Sequence, residues 1–475
     1  MHHDPTSTAG SLIPAERDPA SFRDPTGFVY RRGDRLYRQV NETYAQEWAH
    51  FLDSGLYARL VERGWLVAHT EVDRALAFDD RAWKVLEVER VPFVSYPYEW
   101  TFGQLKDAAL LTLDVQAAAI EAGMTLKDAS AYNVLFDGAR PVLIDGLSFE
   151  HRAEDEPWVA YRQFCQHFLA PLALMALRDV RAGLLLRDFI DGIPLDLAAG
   201  LLPGSSRLRL GLAAHLHLHA RAQRDHATDG ARPDNRAAKL SRGRLEALIE
   251  SLRSAVGGLR WQPSGTEWSE YGETTSYSPA GAASKRVIVE RFLGATDGEW
   301  VWDLGANTGF FSRLAGDSGR KVVALDADPG AAERHYLHLR ETQTAGILPL
   351  VMDLTNPSPS LGWAHRERRS LVERANADVL IALALVHHVA IGNNVPLPQL
   401  SGFLAELGRQ LIVEFVPKSD PRVAAMLASR HDVFPDYSLD GLKAAFAADW
   451  RLVDEEPVED SERTLLRFHR ADQAA

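Results

Sequence analysis

The sequence predicts an α/β protein, with a doubly wound parallel sheet in the C-terminal half and a separate α+β domain in the N-terminal half. Two observations lead there. From Trp300 onward, apolar strand-like runs alternate with helical segments, the order that builds a parallel sheet. A chain of 475 residues also exceeds what one hydrophobic core serves, so about two or three domains are expected. The composition, 46% hydrophobic and 25% charged, is that of a folded globular protein. A net charge of -13 argues against a general nucleic-acid binder, which needs surplus Lys and Arg to neutralise phosphates. The single cysteine, Cys165, leaves no intrachain disulfide and no thiolate metal cluster. No signal peptide or membrane-length apolar run is evident, so a cytoplasmic protein with no membrane role is expected.

Taken in order, residues 1–21 read as a disordered polar tail and 22–226 as the first domain. "GFVYRRGDRLYRQV" is a hairpin signal with Gly-Asp between two strands. A helix is expected over Tyr44–Arg63, a strand over 83–96, and a helix over 104–122 that stops at Gly123. Residues 157–225 look mostly helical. The polar, aperiodic run 227–245 reads as a linker or mobile loop, leaving 246–475 as the second domain. Strands are expected at 300–304, 322–326, 348–353, 379–385 and 410–416, and "RLVDEEPV" with "RTLLRFHR" forms a terminal antiparallel hairpin.

The run "VWDLGANTGFF" places a buried strand before a glycine-containing turn and a helix, where open α/β sheets bind ligands. Gly305 and Gly309 permit close backbone approach, and Asn307 tolerates a left-handed backbone. The spacing D-x-G-x-x-x-G differs from the G-x-G-x-x-G of a dinucleotide site, and the Asp303 carboxylate favours a cationic ligand over a pyrophosphate. Asp326 ends the next strand, where an acid can meet ribose hydroxyls, and Asp353 ends the third. These residues resemble the class I S-adenosylmethionine-dependent methyltransferases over about residues 260 to 475, a Rossmann-like fold. The resemblance implies that Asp303, Gly305, Asn307 and Gly309 hold the methionine portion, Asp326 the ribose and Asp353 the adenine. Asn307 stands where many members have glycine. The pair His387 and His388 falls near the expected sulfonium, and an imidazole there can take a proton from a hydroxyl. Adjacent strand residues point to opposite faces, so at most one of the two is expected to face the cleft directly. Some small-molecule O-methyltransferases of this fold carry a similar pair, which implies a sugar or other polar metabolite as acceptor. Tyr271, Tyr277 and Lys285 read as a lid or as an N-terminal helix.

In the N-terminal half, "LKDASAYNVLFDGARPVLIDGLSFE" combines an Asp, an Asn five positions on, a short hairpin and a closing Asp. It resembles the catalytic core of protein kinases and aminoglycoside-type phosphotransferases. The resemblance implies a bilobal domain over about residues 25 to 225, with Asp128 as base, Asn133 and Asp145 as magnesium ligands, and ATP as cofactor. It departs from that pattern in lacking a glycine-rich loop, in carrying Arg38 for the strand lysine, and in carrying Lys127 before the base. Arg and Lys make different contacts, so a degenerate domain for substrate or partner recognition is expected. The alternatives are a bifunctional methyltransferase and phosphotransferase, or a regulator that senses S-adenosylmethionine without turnover. "HLHLH" sets His215 and His219 at i, i+4, with His217 and His226 nearby, but no third ligand accompanies them, so no metal site is expected.

Overall fold

Alternating residues Phe28 and Tyr30 turn inward from the first hairpin, and this period-two burial makes it one face of a sheet. The computed structural model describes residues 13–153, 155–218, 240–263, 277–428 and 431–471. Strands β1 (Ala15–Arg17), β2 (Gly27–Arg32), β3 (Arg35–Asn41), β4 (His69–Val72) and β5 (Ala82–Val88) form an antiparallel sheet in the order β1-β2-β3-β5-β4. The expected tail is therefore too long: Ala15–Arg17 pair with Tyr30–Arg32, and residues 1–12 lie outside the described residues. The expected helix over Tyr44–Arg63 divides into Ala45–Asp53 and Leu56–Glu62, because Gly55 takes a left-handed backbone (φ 73°) between them. The strand expected to Tyr96 ends at Val88, ahead of Pro92.

Helix Phe102–Glu121 starts at Thr101, whose hydroxyl accepts from the Gln104 N–H while Gln104 reaches back to the Thr101 N–H. Fourteen of its residues are buried, which makes it a central pillar rather than a surface helix. Next come β6 (Met124–Leu126), paired with β9 (Phe149–His151), and between them the hairpin of β7 (Val134–Asp137) and β8 (Arg140–Leu143). Gly138 turns that hairpin at φ 60°.

The C-terminal half holds β10 (Trp300–Leu304), β11 (Lys321–Asp326), β12 (Ile347–Val351), β13 (Ala377–Ala382), β14 (Gly408–Phe415), β15 (Trp450–Pro457) and β16 (Thr464–Arg470). They form one sheet in the order β12-β11-β10-β13-β14-β16-β15. β10 to β14 run parallel, while β16 inserts antiparallel between β14 and β15. This is a Rossmann-like sheet with a terminal antiparallel hairpin, as the alternation of elements predicts.

The two halves share one buried apolar cluster running from Val40 to Phe468. Helix Arg242–Gly257 packs on Phe102–Glu121, with Arg253 paired to Asp114 and Lys106 Nζ donating to the Gly257 and Leu259 carbonyls. The boundary expected at 245 thus falls inside a helix, and that helix buries Leu245, Ile249, Leu252 and Val256. Among the described residues, no helix is long and apolar enough to cross a membrane.

Candidate functional site

Three residues after β10 take left-handed backbones: Gly305 (φ 77°), Asn307 (φ 51°) and Gly309 (φ 79°). The Gly305 and Ala306 N–H groups both donate to the Leu325 carbonyl, at 2.8 and 3.0 Å, so the turn is locked over β11. The Asn307 N–H then donates to Asp326 Oδ2 (2.7 Å), and the Asp328 N–H to Asp326 Oδ1 (2.8 Å). Asp303 lies inward on β10, where it accepts from Ser312 Oγ at 2.6 Å. The structure thus brings Asp303, Gly305, Asn307, Gly309 and Asp326 to the carboxyl edge of β10 and β11.

Neither carboxylate makes a salt bridge among the described residues. Burial pushes Asp303 up to about 6 against the Ser312 hydrogen bond, and pushes Asp326 up to about 6 against the backbone donors of Asp328 and Asn307. A buried acid and a half-buried one of this kind suit a ligand that brings positive charge and hydroxyl donors. Asp353 lies two residues past β12, exposed, with Oδ1 accepting from the Thr355 N–H and Oγ1. A cavity of about 200 Å³ beside it is lined by Leu354, Leu385, Val395, Leu400 and Phe403, apolar walls for a flat ring.

His387 and His388 do not lie on a strand. β13 ends at Ala382, Ala384 turns left-handed (φ 51°), and the two imidazoles sit in the helical turn that follows, their ring centroids 4.1 Å apart. The opposite-face expectation fails for this reason. His387 is buried, with Nδ1 unpartnered among the described residues, and burial together with His388 and Arg463 keeps its ring neutral.

Beside them is a cluster of which the sequence pointed to Tyr277 and Lys285 but not to the acid that joins them. Glu414 on β14 is fully buried and receives Lys285 Nζ (2.6 Å), Arg463 Nη1 (3.3 Å) and the Tyr277 hydroxyl. Burial pulls the Lys285 amine down and pushes the Glu414 carboxyl up. The signal was a lone acid in the apolar run "LIVEFV". Lys285 belongs to helix Pro279–Gly294, and Tyr271 lies outside the described residues.

In the N-terminal half, Asp128, Asn133 and Asp145 all line a cavity of about 610 Å³. Asp145 is paired with Arg38 at 2.6 Å and accepts from Ser148 Oγ at 2.6 Å. Burial works against its charge, but the Arg38 guanidinium holds it below the usual carboxylate range. Asp128 accepts from the Ser130 N–H and from Gln163 Nε2, and burial raises it. Among the described residues, no group of three or more His, Cys, Asp or Glu is arranged to hold a metal ion. His215 bonds Tyr161 and Ser251, His217 bonds Ser206, and His219 and His226 lie outside the described residues.

No family model matches the chain. It is 35% identical to the nodulation protein NoeA of Rhizobium meliloti (strain 1021) over 463 residues, 96% of each chain. It is also 30% identical to the malonyl-[acyl-carrier protein] O-methyltransferase of Serratia marcescens over 175 residues, 32% of this chain and 63% of that protein. Among solved structures, the bifunctional kinase-methyltransferase WbdD overlaps 43% of this chain and 42% of its own, at 17% identity and a TM-score of 0.30.

Proposed function

The chain belongs to the family of the nodulation protein NoeA, and from that premise we propose that its C-terminal half O-methylates a small or medium polar acceptor, a sugar or other metabolite. The N-terminal half, a degenerate kinase-like domain, recognises that acceptor or a partner. The carrying observation is the pair of acids Asp303 and Asp326, hydrogen-bonded but without a salt bridge among the described residues, on either side of a left-handed turn in a methyltransferase-type sheet. S-adenosylmethionine, when bound, supplies an electrophilic methyl group on a cationic sulfur. Asp303 faces the charged methionine portion, Asp326 takes the ribose hydroxyls, and Asp353 meets the adenine amine. Gly305, Asn307 and Gly309 let the backbone approach. His387 or His388 accepts the acceptor hydroxyl's proton as the oxygen takes the methyl group.

Two observations favour recognition over phosphotransfer in the N-terminal half. Arg38 replaces the strand lysine, and its guanidinium already occupies Asp145. The test is incubation with S-adenosylmethionine and polar metabolites, followed by mass spectrometry. Released S-adenosylhomocysteine and a metabolite heavier by one methyl group are expected. Saturable cofactor binding without either product would replace the enzyme reading with a sensor.

Two further results are expected. Both acids are raised in the ligand-free chain, so each is protonated below about pH 6, and the ionised forms that the ligand needs are present only above it. S-adenosylmethionine affinity should be flat above pH 7 and fall as pH drops through 6, by about tenfold per pH unit for each acid that must be ionised. Calorimetry that finds constant affinity from pH 8 to 5 would remove the assignment. Replacing His387 and His388 together with Ala should lower turnover about 100-fold or more, with cofactor affinity unchanged.

A further inference from the structure

Glu414 stands where the carboxyl edge of the parallel sheet meets the histidine turn. Ala382, the last residue of β13, is level with Val413 on β14, so Glu414 lies one residue beyond the last paired rung of these strands. From there its carboxylate accepts the Ala384 N–H, a bond that favours the ionised form. Ala384 is the left-handed residue (φ 51°) that breaks the strand direction and starts the turn carrying His387 and His388. An L-alanine takes such a backbone at a cost, and it persists where surrounding groups hold it. Directly after it the chain enters a π-helical turn, His388–Gly392, a second irregularity within the same few residues.

The carboxylate is itself held from two other segments. Lys285 Nζ donates to Oε2 at 2.6 Å from helix Pro279–Gly294, and Arg463 Nη1 donates to Oε1 at 3.3 Å from just before β16, with the Tyr277 hydroxyl also on Oε1. Arg463 is anchored in turn by Asp420, through Nε at 2.9 Å and Nη2 at 2.8 Å. The Glu414, Lys285 and Arg463 side chains are 0%, 10% and 4% exposed, so water does not share in these bonds. The Lys285 ammonium lies 5.1 and 5.3 Å from the ring centroids of Tyr277 and Phe311, and Phe311 belongs to the helix that Gly309 caps. Lys285 is near enough to Asp303 for that acid to favour its charge, and near enough to His387 to disfavour an imidazolium there. A buried ion pair seldom stabilises a fold more than apolar residues of the same volume, so a charged cluster set between the cofactor acid and the histidines points to a role in the site.

We propose that Glu414 is a positioning residue for methyl transfer: its carboxylate joins the Ala384 N–H to the Lys285 ammonium, ties the histidine turn to helix Pro279–Gly294, and so fixes where the His387 and His388 rings stand. The role rests on the methyltransferase reading, in which one of these rings takes the acceptor's proton. Glu414 acts through Ala384, three positions before His387, and needs no contact with the acceptor. Misplacing a reacting group by about 1 Å costs about 100-fold in rate, which is the effect such a brace prevents.

The test compares the full-length wild type with Glu414→Gln, Glu414→Asp, and Glu414→Leu paired with Lys285→Met. Gln keeps an oxygen for the Ala384 N–H. Asp keeps the charge on an arm one methylene shorter. The paired variant removes the oxygen but takes out one negative and one positive charge together, so the net charge of the cluster is unchanged and Arg463 keeps Asp420. A thermal melt reports which variants are folded. With histidine ¹³C-labelled at Cε1, and the two signals assigned from His387→Gln and His388→Gln, both ring signals should shift in the Asp and paired variants and stay near their wild-type positions in Glu414→Gln. Since neither shifting variant alters the net charge, the shift reports movement of the rings. In the transfer assay with polar metabolites, release of S-adenosylhomocysteine should fall about 100-fold in the paired variant and about tenfold or less in Glu414→Gln, with S-adenosylmethionine affinity unchanged in both. The ring signals are read without cofactor or acceptor, so a wild type that never turns over counts against the methyltransferase reading while the signals still judge the brace. Ring signals at wild-type positions in a folded Asp or paired variant, or a Glu414→Gln variant that loses as much turnover as the paired one, would overturn the proposal.

Discussion

Gly309→Ala is expected to abolish measurable S-adenosylmethionine binding and to lower the thermal midpoint by several degrees. Gly309 caps helix Phe310–Asp317 with φ 79°, a backbone that costs an L-residue about 1 to 2 kcal/mol. An added Cβ would also overlap the imidazole of His335, which lies directly against the glycine. His335 is 1% exposed, both its ring nitrogens lack partners among the described residues, and burial pushes it down to about 3, so it is a neutral ring packed as an apolar plate. It has little room to retreat, and overpacking of this kind costs about 1 to 3 kcal/mol more. The loop that carries Asn307 toward Asp326 would move with it. Calorimetry and a thermal melt check this. The double variant Gly309→Ala with His335→Ala should recover part of the stability, because it removes the overlap but not the strained backbone. Wild-type affinity in the single variant would show that the turn does not approach the cofactor.

Arg374→Met is expected to uncouple the two halves. Arg374 and Glu99 form an ion pair whose side chains are 3% and 1% exposed, with Nη1 to Oε2 at 3.0 Å and a second contact between Nη2 and Oε1. Glu99 also accepts from the Tyr96 N–H and Ser358 Oγ, while Arg374 donates to the Val94 and Ser370 carbonyls. Burial opposes the charge on Arg374, yet Glu99 and the nearby tyrosines leave it more strongly protonated than usual. Removing one partner from a buried pair strands the other charge and costs about 3 to 5 kcal/mol. The expected readings are a thermal melt that splits into two transitions and faster limited proteolysis between the halves. Replacing both residues by apolar ones of similar volume should restore much of the loss. A single transition at the wild-type midpoint would show that the shared core, with Phe93 edge-on to Trp302, holds the halves without the pair.

The placing of Asp303 and Asp326 at the carboxyl edge of β10 and β11 was legible because strand, turn and helix follow one another directly in the chain. An apolar run, a carboxylate and two glycines within a few residues specify both the backbone path and its chemistry. The parallel sheet was legible for the same reason: each strand is an uninterrupted apolar segment beside its own helix. Locality failed at the histidine pair. "ALALVHHV" reads as one continuous strand, but the left-handed Ala384 ends it and turns both rings into the next helical turn. It failed also at residues 242–245, where a polar run resembles a linker although it opens a helix whose residues three or four positions apart, Leu245, Ile249, Leu252 and Val256, are buried.

By itself the sequence determined an α/β chain, the left-handed turn of Gly305, Asn307 and Gly309 between Asp303 and Asp326, and the grouping of Asp128, Asn133 and Asp145. These depend on period, turn chemistry and short spacing, which neighbouring residues enforce. Only the tertiary structure decided what answers those groups. Arg38 reaches Asp145 across 107 positions, Lys285 reaches Glu414 across 129, and Arg374 reaches Glu99 across 275. Such pairings follow from how sheets and helices stack around a common core, where burial makes each charge seek a partner whatever its distance along the chain.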